Sequence, residues 1–315
     1  MVSPSVNQRV LSLGMIGLDT SHSVEFARRS NHPGRAGHVP GGRVTCATPT
    51  FSADLPWSVD RVEGFTREMR EEHGVRIVDR IAEVVAECDA VLLCSIDGRS
   101  HLEQFKACAA GKPVFLDKPV AASLRDALEI YRIAEATRTP VFSASALRWQ
   151  PEVIEVALAE VGRVAGAISY GPSPLEPHHP DLFFYGMHAV EALFTVMGPG
   201  CTSVSRVTTE RASVVTGPWG DGSVGTLYAM HHWPGPYKLV KLGDRSVAER
   251  DVRTDYTPLL REIIGFCQTG IPPVRPAQTL EIYAFMEGAD ESKRRGGAAV
   301  SLDDVLRTAR TGRAS

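Results

Sequence analysis

Lys118 is the residue of this sequence whose type and position most directly indicate catalysis. It follows the apolar residues 113–116 and precedes Pro119. A lysine at the carboxyl end of a buried parallel strand lies where open α/β sheets bind their ligands, whereas most lysines lie on the surface. Partial burial lowers the pKa of a lysine, which then exchanges protons more readily. We therefore expect Lys118 to belong to a catalytic centre.

His188 is a second candidate, because it opens a predicted helix directly after the aromatic residues 183–185. Imidazole changes its charge near neutral pH, which suits proton transfer, although a lone histidine is more often a helix cap or a satisfied core residue. Tyr185 brings a hydroxyl to the same region. His188 and Tyr185 are therefore catalytic candidates beside Lys118.

Two pairs of adjacent histidines, at 178–179 and 231–232, suggest metal binding at first sight. Neighbouring residues on a strand point to opposite faces, so each pair offers one ligand to any single ion. A composite site would also need His188, and the sequence does not bring these segments together, so we predict no metal. We expect instead a substrate pocket that includes Arg148, Trp149, His178, His179 and His232.

The aromatic residues Trp149, Trp233 and Tyr237 have two interpretations. They could form a wall for a sugar ring, or they could equally be part of the core. The sequence leaves both open.

The elements that must position these residues divide into two predicted domains. Over residues 1–145, six apolar segments alternate with helical ones, and the run 90–94 lacks polar alternation, as in a parallel strand covered on both faces. This pattern predicts an α/β domain of the Rossmann type, with a doubly wound parallel sheet. Over residues 146–315, alternating strands, hairpin turns and terminal helices predict an α+β domain with an open, largely antiparallel sheet.

Composition narrows the function classes. The formal net charge is −3, with 43% hydrophobic and 23% charged residues, which is typical of a soluble globular protein. No basic block indicates a nucleic-acid partner, and the apolar stretch 10–18 is too short and polar for a membrane span or a secretory signal. The six scattered cysteines favour free thiols in a reducing cytoplasm. We expect a cytoplasmic protein that binds a small molecule.

The segment Ala110-Gly-Lys-Pro-Val-Phe-Leu-Asp-Lys-Pro119, preceded by residues 89–95 and His101, resembles the signature of the glucose-fructose oxidoreductase/inositol dehydrogenase (Gfo/Idh/MocA) family. This family usually has Glu-Lys-Pro where the chain has Asp-Lys-Pro. Leu147-Arg-Trp-Gln-Pro151, Gly186-Met-His188 and the residues 287–292 are similar as well. The resemblance extends over nearly the whole chain.

This resemblance implies an NAD(P)-dependent oxidoreductase of sugars, polyols or related small molecules, with NAD or NADP as its cofactor. It implies that Lys118 lies beside the nicotinamide and that His188 handles the proton of the substrate hydroxyl. The aspartate that the family usually has four residues before the histidine is Phe184 here, and Tyr185 offers a hydroxyl in the same region. It further implies a homodimer or homotetramer that covers the outer sheet face. The implied cofactor-binding set is Gly17, Asp19, Thr20, Ser21, His22, Ser95, Asp97, His101 and Lys118.

The turn Gly17-Leu-Asp-Thr-Ser-His22 departs from the family's G-x-G-x-x-G, because Asp19 and His22 replace the second and third glycines. The second glycine normally lets the backbone approach the pyrophosphate of the cofactor. The Asp19 carboxylate either repels that pyrophosphate or instead caps the following helix. The turn therefore weakens the expectation of nucleotide binding but not that of the fold.

Three functions follow from these expectations. The first is hydride transfer to or from a hydroxyl or carbonyl group, with NAD(P) as cofactor and Lys118 and His188 in proton transfer. The second is acid/base elimination or epimerisation without a redox step, and the third is a binding protein that has lost turnover. Asp19, His22 and Phe184 favour the last two, and fold alone does not separate the three.

Overall fold

The first sheet is built from six short strands within the described part of the chain. A computed structural model describes residues 9–312, so the outermost residues of both predicted domains, 1–8 and 313–315, lie outside the described residues. The strands are β1 (Leu11–Ile16), β2 (Gly42–Thr48), β3 (Arg76–Ile77), β4 (Ala90–Leu93), β5 (Val114–Leu116) and β6 (Val141–Phe142). The helices between them are α1 (Ser21–Asn31), α2 (Pro56–Glu71), α3 (Ile81–Glu87), α4 (His101–Cys108) and α5 (Leu124–Thr137).

The order of these strands is β3-β2-β1-β4-β5-β6, and every neighbouring pair is parallel. The apolar run of β4 is buried along its whole length because helices cover both faces of the sheet. The order reverses between β1 and β4, which creates a topological switch point at the carboxyl ends of these strands. The Rossmann prediction for the first domain is confirmed.

The second sheet has the order β12-β11-β7-β10-β9-β8-β13. Its pairs are antiparallel except for the parallel pair of β10 with β7, which confirms the prediction of a largely antiparallel sheet. The strands are β7 (Val164–Pro172), β8 (Ser203–Thr208), β9 (Ala212–Pro218), β10 (Val224–Met230), β11 (Tyr237–Gly243), β12 (Val247–Val252) and β13 (Val300–Ser301). The helices are α6 (Pro151–Leu158), α7 (Met187–Met197), α8 (Tyr256–Thr269), α9 (Pro276–Arg294) and α10 (Leu302–Thr311).

Side chains from the second half of the chain also pack in the core of the first domain. Helices α7 and α9 pack on one face of the second sheet, and α8 returns to the first domain. There, Leu259, Ile263 and Phe266 pack in the same core as Leu13 and other side chains of the first sheet. The domain boundary near residue 145 stays a prediction, because α8 belongs by packing to the first core.

All six cysteines are buried and unpaired, as their scattered positions indicate. Along residues 9–312, no helix combines the length and apolar character that crossing a membrane requires.

Arg206 fixes the segment that leads into α7. Its side chain is fully buried, and the guanidinium donates to Asp181 at 2.6 Å and to Asp290 on α9 at 2.5 Å. The same group also donates to the hydroxyls of Thr208 and Ser213. Because every guanidinium nitrogen has a partner, this buried charge holds residues 173–186 against the sheet.

We predict that Arg206→Met destabilises the protein by about 3–5 kcal/mol, because it leaves two acidic side chains without their buried cation. The free energy of unfolding from urea titrations measures the change. Arg211→Met, at an exposed position of the neighbouring hairpin, is the matched control and should shift it by less than about 0.5 kcal/mol. Equal effects of the two substitutions would contradict this role of Arg206.

Candidate active site

The switch point of the first sheet opens into an enclosed cavity of about 120 Å³. The first domain contributes the turn after β1 and the residue that follows the strand β5, and the second domain contributes the start of α7 and the loop before β11. Both Lys118 and His188 line this cavity. The other lining side chains that could contact a ligand are Thr20, Ser21, His22, Arg61, Tyr185, Trp233, Tyr237, Thr254 and Tyr256.

Lys118 is only 4% exposed, and its Nζ lies 5.1 Å from the centre of the Tyr185 ring. Within residues 9–312, Nζ has no hydrogen-bond acceptor, and its one close contact is this cation–π interaction. Burial lowers the pKa of Lys118, the nearby Asp117 carboxylate opposes this shift, and Arg61 adds to it. A buried amine that lacks an acceptor is available to a ligand in the cavity.

His188 is oriented from behind by Ser145, at the end of the first predicted domain, and by Glu191 on α7. Its Nδ1 lies 2.7 Å from Ser145 Oγ, and the Ser145 backbone N–H donates to Glu191 at 2.6 Å. Burial, followed by the proximity of Lys118 and His22, holds the pKa of His188 well below its ordinary value. His188 is therefore neutral at neutral pH.

Arg148, one of the substrate-contact candidates, supports His188 indirectly through Glu191 and does not line the cavity. Its Nε donates to Glu191 at 2.5 Å, which neutralises the carboxylate that holds Ser145. Trp149 packs against the core ring of Phe142 with centroids 6.4 Å apart, so the core interpretation of this tryptophan is the correct one. Trp233 and Tyr237 do line the cavity.

The turn after β1 keeps one glycine requirement of a nucleotide-binding loop. Gly17 has φ +88°, and a Cβ atom here would lie 2.3 Å from the backbone N of Ser95. Thr20, not Asp19, caps α1, because its Oγ1 accepts from the backbone N–H of His22. The helix-cap interpretation of Asp19 is therefore wrong.

The Asp19 carboxylate is instead buried beneath the turn. It accepts from the backbone N–H of Ile96 at 3.0 Å and from Ser58 Oγ at 2.7 Å. Burial raises the pKa of Asp19 from 3.8 to about 6, although both hydrogen bonds oppose the shift. The carboxylate thus joins the end of β4 to the start of α2, away from the first turn of α1.

Two segments cover the turn from outside. The first is the start of α2, where the Trp57 ring packs against Phe184 and Tyr185 with centroids 5.7 Å apart in both pairs. The second is the loop before α7, where His179 Nε2 lies 3.1 Å from Asp97 Oδ1. Pockets for drug-sized ligands measure about 300–1,000 Å³, so the enclosed cavity accommodates a small molecule but not a whole dinucleotide.

The remaining predicted site residues lie outside the cavity. His101 is fully buried, and its two ring nitrogens contact the backbone oxygens of Ser95 and Val120 at 2.7 and 3.2 Å, so it joins two loops. Ser95 Oγ contacts Thr50 Oγ1 at 3.0 Å. Asp97 pairs with Arg99, and the half-exposed His178 with Glu176. These residues organise the loops around the site.

The histidine pairs do not converge on an ion. His231 contacts Ser213 Oγ at 2.9 Å beside the Arg206 cluster, and His232 does not line the cavity. No group of three potential metal ligands occurs among residues 9–312.

Sequence reasoning missed Asp117 and Tyr256 as site residues. Asp117 Oδ2 lies 2.6 Å from His22 Nδ1, and the Tyr256 ring packs edge-on against His22. Asp117 is adjacent to Lys118 in the sequence, so its signal was present in the Asp-Lys-Pro motif. Tyr256 opens α8, about 140 residues after this motif, and only the return of α8 to the first domain brings it here.

We predict that Asp19→Asn makes the protein more stable at pH 7 and that this gain disappears near pH 4. A carboxyl with a raised folded-state pKa binds more protons in the folded than in the unfolded state, so stability falls as pH rises between about 4 and 6. The shift corresponds to at most about 3 kcal/mol. Denaturant unfolding at several pH values measures it, with Asp60→Asn on the exposed side of α2 as control. A stability difference independent of pH would contradict the buried charge.

Comparison with known proteins gives one family match. Residues 41–145 match the family model described as "Oxidoreductase family, NAD-binding Rossmann fold", named GFO_IDH_MocA. An inositol 2-dehydrogenase of Cereibacter sphaeroides is 40% identical over 126 residues, which cover 40% of this chain and 33% of that protein. The matched segments of the three similar curated proteins span at most a third of their length.

Solved structures share the fold along almost the whole chain. GenD2 from gentamicin A biosynthesis, in complex with NAD, has a TM-score of 0.75 at 15% identity and covers 96% of this chain and 99% of its own. A myo-inositol dehydrogenase from Lactobacillus casei, in complex with NAD(H) and myo-inositol, has a TM-score of 0.72 at 14% identity, with coverages of 93% and 97%. Residues 41–145 thus match an NAD-binding Rossmann domain of the Gfo/Idh/MocA oxidoreductase family, and the described chain shares its overall fold with the two solved structures.

Proposed function

We propose that this protein is an NAD(P)-dependent oxidoreductase that acts on a hydroxyl or carbonyl group of a sugar, a polyol or a related small molecule. The observation that carries the proposal is the meeting of Lys118 and His188, from two domains, in one enclosed cavity at the switch point. Ligands of open α/β sheets bind at this place. The names of the matched inositol dehydrogenases support the same substrate class.

The residues of the turn fit one end of the cofactor. The tight turn at Gly17 and the start of α1 offer backbone N–H groups and a helix dipole to a phosphate, and the Asp19 carboxylate points away from that helix end. Lys118 lies where the nicotinamide end would be held. When bound, the nicotinamide supplies the acceptor or donor of the hydride.

The adenosine end of the cofactor requires space that the start of α2 occupies. Asp19, Leu55 and Ser58 are fully buried at this place. Binding of the whole cofactor therefore requires the start of α2 and the loop before α7 to separate from the turn. We expect this opening to cost binding free energy and the affinity to be lower than in relatives with an intact glycine loop.

The chain's own groups then position the substrate and move its proton. Lys118 donates a hydrogen bond to the reacting oxygen, and burial lowers the pKa of Lys118, which strengthens it as a hydrogen-bond donor. The Tyr185 ring and the neutral His188 hold the substrate from the second domain. Trp233 packs on Tyr185 with centroids 4.6 Å apart and helps to exclude water.

A second candidate function is proton transfer without a redox step, such as elimination or epimerisation on the same groups. The small cavity and the covered turn favour it. Calorimetry with NAD⁺, NADH, NADP⁺ and NADPH separates the two candidates. Binding of a nicotinamide nucleotide supports the oxidoreductase, and its absence at millimolar concentration supports the second candidate.

The outer face of the second sheet supports the proposal of a homo-oligomer. The strand register places Tyr170, Tyr228, Val214 and Val207 in one row across four strands, and Tyr228 and Val207 are 45% and 68% exposed. An apolar row of this length on an open sheet is typical of a surface covered in the assembled protein. A second copy presents the same row, so a two-fold arrangement covers both faces at once.

We predict that Lys118→Met abolishes turnover with little effect on folding, because it removes the amine and keeps a side chain of similar length. The assay follows nicotinamide absorbance with a panel of inositols, hexoses and sugar alcohols. Lys106→Met, at an exposed position of α4, is the matched control and should keep wild-type activity. Full activity of Lys118→Met would contradict the proposed role.

We also predict that Tyr228→Lys converts the oligomer into monomers, because it places a charge in the apolar row of each subunit. Sedimentation velocity at micromolar concentration measures the change. Ile271→Lys, at a 72% exposed position in the loop between α8 and α9, is the control and should leave assembly unchanged. A wild-type protein that is monomeric at this concentration would refute the oligomer.

A further inference from the structure

His22 occupies the third glycine position of the loop, and its imidazole lines the cavity. The side chain is only 6% exposed, and Nδ1 lies 2.6 Å from Asp117 Oδ2, whose side chain is 2% exposed. The Tyr256 ring, at a centroid distance of 4.8 Å, and the Phe26 ring, at 5.8 Å, pack against the imidazole and limit its rotation. Because Nδ1 lies within ion-pair distance of the carboxylate, Nε2 is the ring nitrogen left to a ligand.

Asp117 is held in its ionised form. Burial raises the pKa of this carboxyl, but the neighbouring His22 and Lys118 and the backbone N–H of Lys118 more than offset burial, so the pKa lies below its ordinary value. The backbone N–H donates to Oδ1 at 2.8 Å, which leaves Oδ2 to His22. A buried carboxylate in this place stabilises a positive charge on the imidazole.

The two histidines that line the cavity therefore differ in the group that lies next to Nδ1. His188 contacts the neutral hydroxyl of Ser145, and burial, followed by the nearby Lys118, lowers the pKa of His188 and opposes its protonation. His22 contacts an anion at the same ring position. A proton delivered into the cavity is better stabilised on His22 than on His188, since only the His22 imidazolium has a carboxylate partner.

We propose that His22, oriented through Nδ1 by the Asp117 carboxylate, is the proton acceptor of this cavity, and that His188 positions the substrate in its neutral form. The proposal rests on the proposed oxidation of a hydroxyl group. It assigns the proton of that hydroxyl to His22, although the position of His22 in the glycine loop by itself indicates cofactor binding. His22 is the catalytic residue, and Asp117 is a positioning residue that acts through it.

The proton and electron balance is simple. His22 Nε2 takes the proton of the substrate hydroxyl, and the electron pair of that O–H bond stays on oxygen. That pair would form the second C–O bond of the carbonyl, and an oxidised nicotinamide, when bound, would accept the hydrogen of the carbon as hydride. In the reverse direction the imidazolium returns the same proton. Asp117 keeps its negative charge throughout, as the carboxylate behind a catalytic histidine does in serine proteases.

The pH dependence follows from the groups that face His22. These are Asp117 and Lys118 after β5, His188 on α7, Tyr256 on α8, Arg61 on α2 and Tyr185 before α7. The oxidation needs neutral His22, so kcat/KM falls as pH falls and the imidazole takes up a proton before substrate binds. Loss of the Asp117 charge destabilises the imidazolium, so in Asp117→Asn the fall moves to lower pH.

The kinetic test measures kcat/KM from pH 5 to 9 with the best substrate of the panel, in the wild type and in His22→Gln, Asp117→Asn and His188→Gln. We expect His22→Gln to lose at least about 100-fold and to lose the acidic limb. In Asp117→Asn, the acidic fall of kcat/KM should remain but lie at lower pH. In His188→Gln, this fall should remain at the wild-type pH while KM is raised. His38→Gln, a histidine outside the cavity that contacts the Arg29 carbonyl, is the control.

Two kinetic results would overturn the proposal. One is a His22→Gln variant that stays within about threefold of the wild type, and the other is an acidic limb that disappears in His188→Gln instead. Circular dichroism and thermal unfolding establish that each variant is folded. If His22→Gln does not fold, the imidazole spectrum of Asp117→Asn decides, because the kinetic limb of that variant also reflects the effect of Asp117 on Lys118.

A spectroscopic test does not depend on turnover. Imidazole ¹H–¹⁵N spectra of the ligand-free protein should contain a low-field Nδ1 proton that is lost in His22→Gln and shifted upfield in Asp117→Asn. A wild-type protein that oxidises no compound of the panel but still shows this proton would contradict the proposed oxidation and support the His22–Asp117 pair. The absence of this proton from the wild-type spectrum would overturn the pair itself.

Discussion

The reversal of strand order between β1 and β4 is the constraint on which the site depends. Because neighbouring strands run parallel, their carboxyl ends lie at one edge, and the chain leaves β1 and β4 on opposite sides of the switch point. Gly17 follows β1, Ser95 follows β4 and Lys118 follows β5. A glycine at the first of these positions lets the turn pass within contact distance of Ser95. The start of α2 and the loop before α7, which close the cavity, lie over this edge.

The charges at this edge are buried, and burial governs their chemistry. Lys118 and His22 would cost much free energy in a dry cavity if they were charged without a counter-ion. A single carboxylate, Asp117, lies next to both. His188 has no such partner and remains neutral. The cavity therefore separates its groups into a cation with lowered pKa, a histidine paired with an anion, and a neutral histidine, which is a physical basis for distinct roles in proton transfer.

Closure of the site depends on contacts between the domains. Asp19 joins β4 to α2, Trp57 on α2 packs against the aromatic residues before α7, and Arg206 holds that same segment on the second sheet. These contacts make the cavity small. Under the proposed function, the same contacts would have to open before an extended nucleotide binds.

The sequence by itself determined the two sheets, the position of Lys118 at a strand end and the resemblance that the family model matches over residues 41–145. These follow from local patterns, since strand alternation, apolar runs and the Gly-Lys-Pro and Asp-Lys-Pro residues occupy short segments. The sequence also placed His188 at the start of α7. It did not determine the direction of the Asp19 side chain, which the register of β4 and the start of α2 decide. Nor did it separate Trp149, which is in the core, from Trp233, which lines the cavity. The pairing of His22 with Asp117 and the packing of Tyr256 on His22 join residues that are about 95 and about 234 positions apart. Only the folded sheet and the return of α8 bring them together, because side-chain contacts across such distances are set by tertiary packing and not by local periodicity.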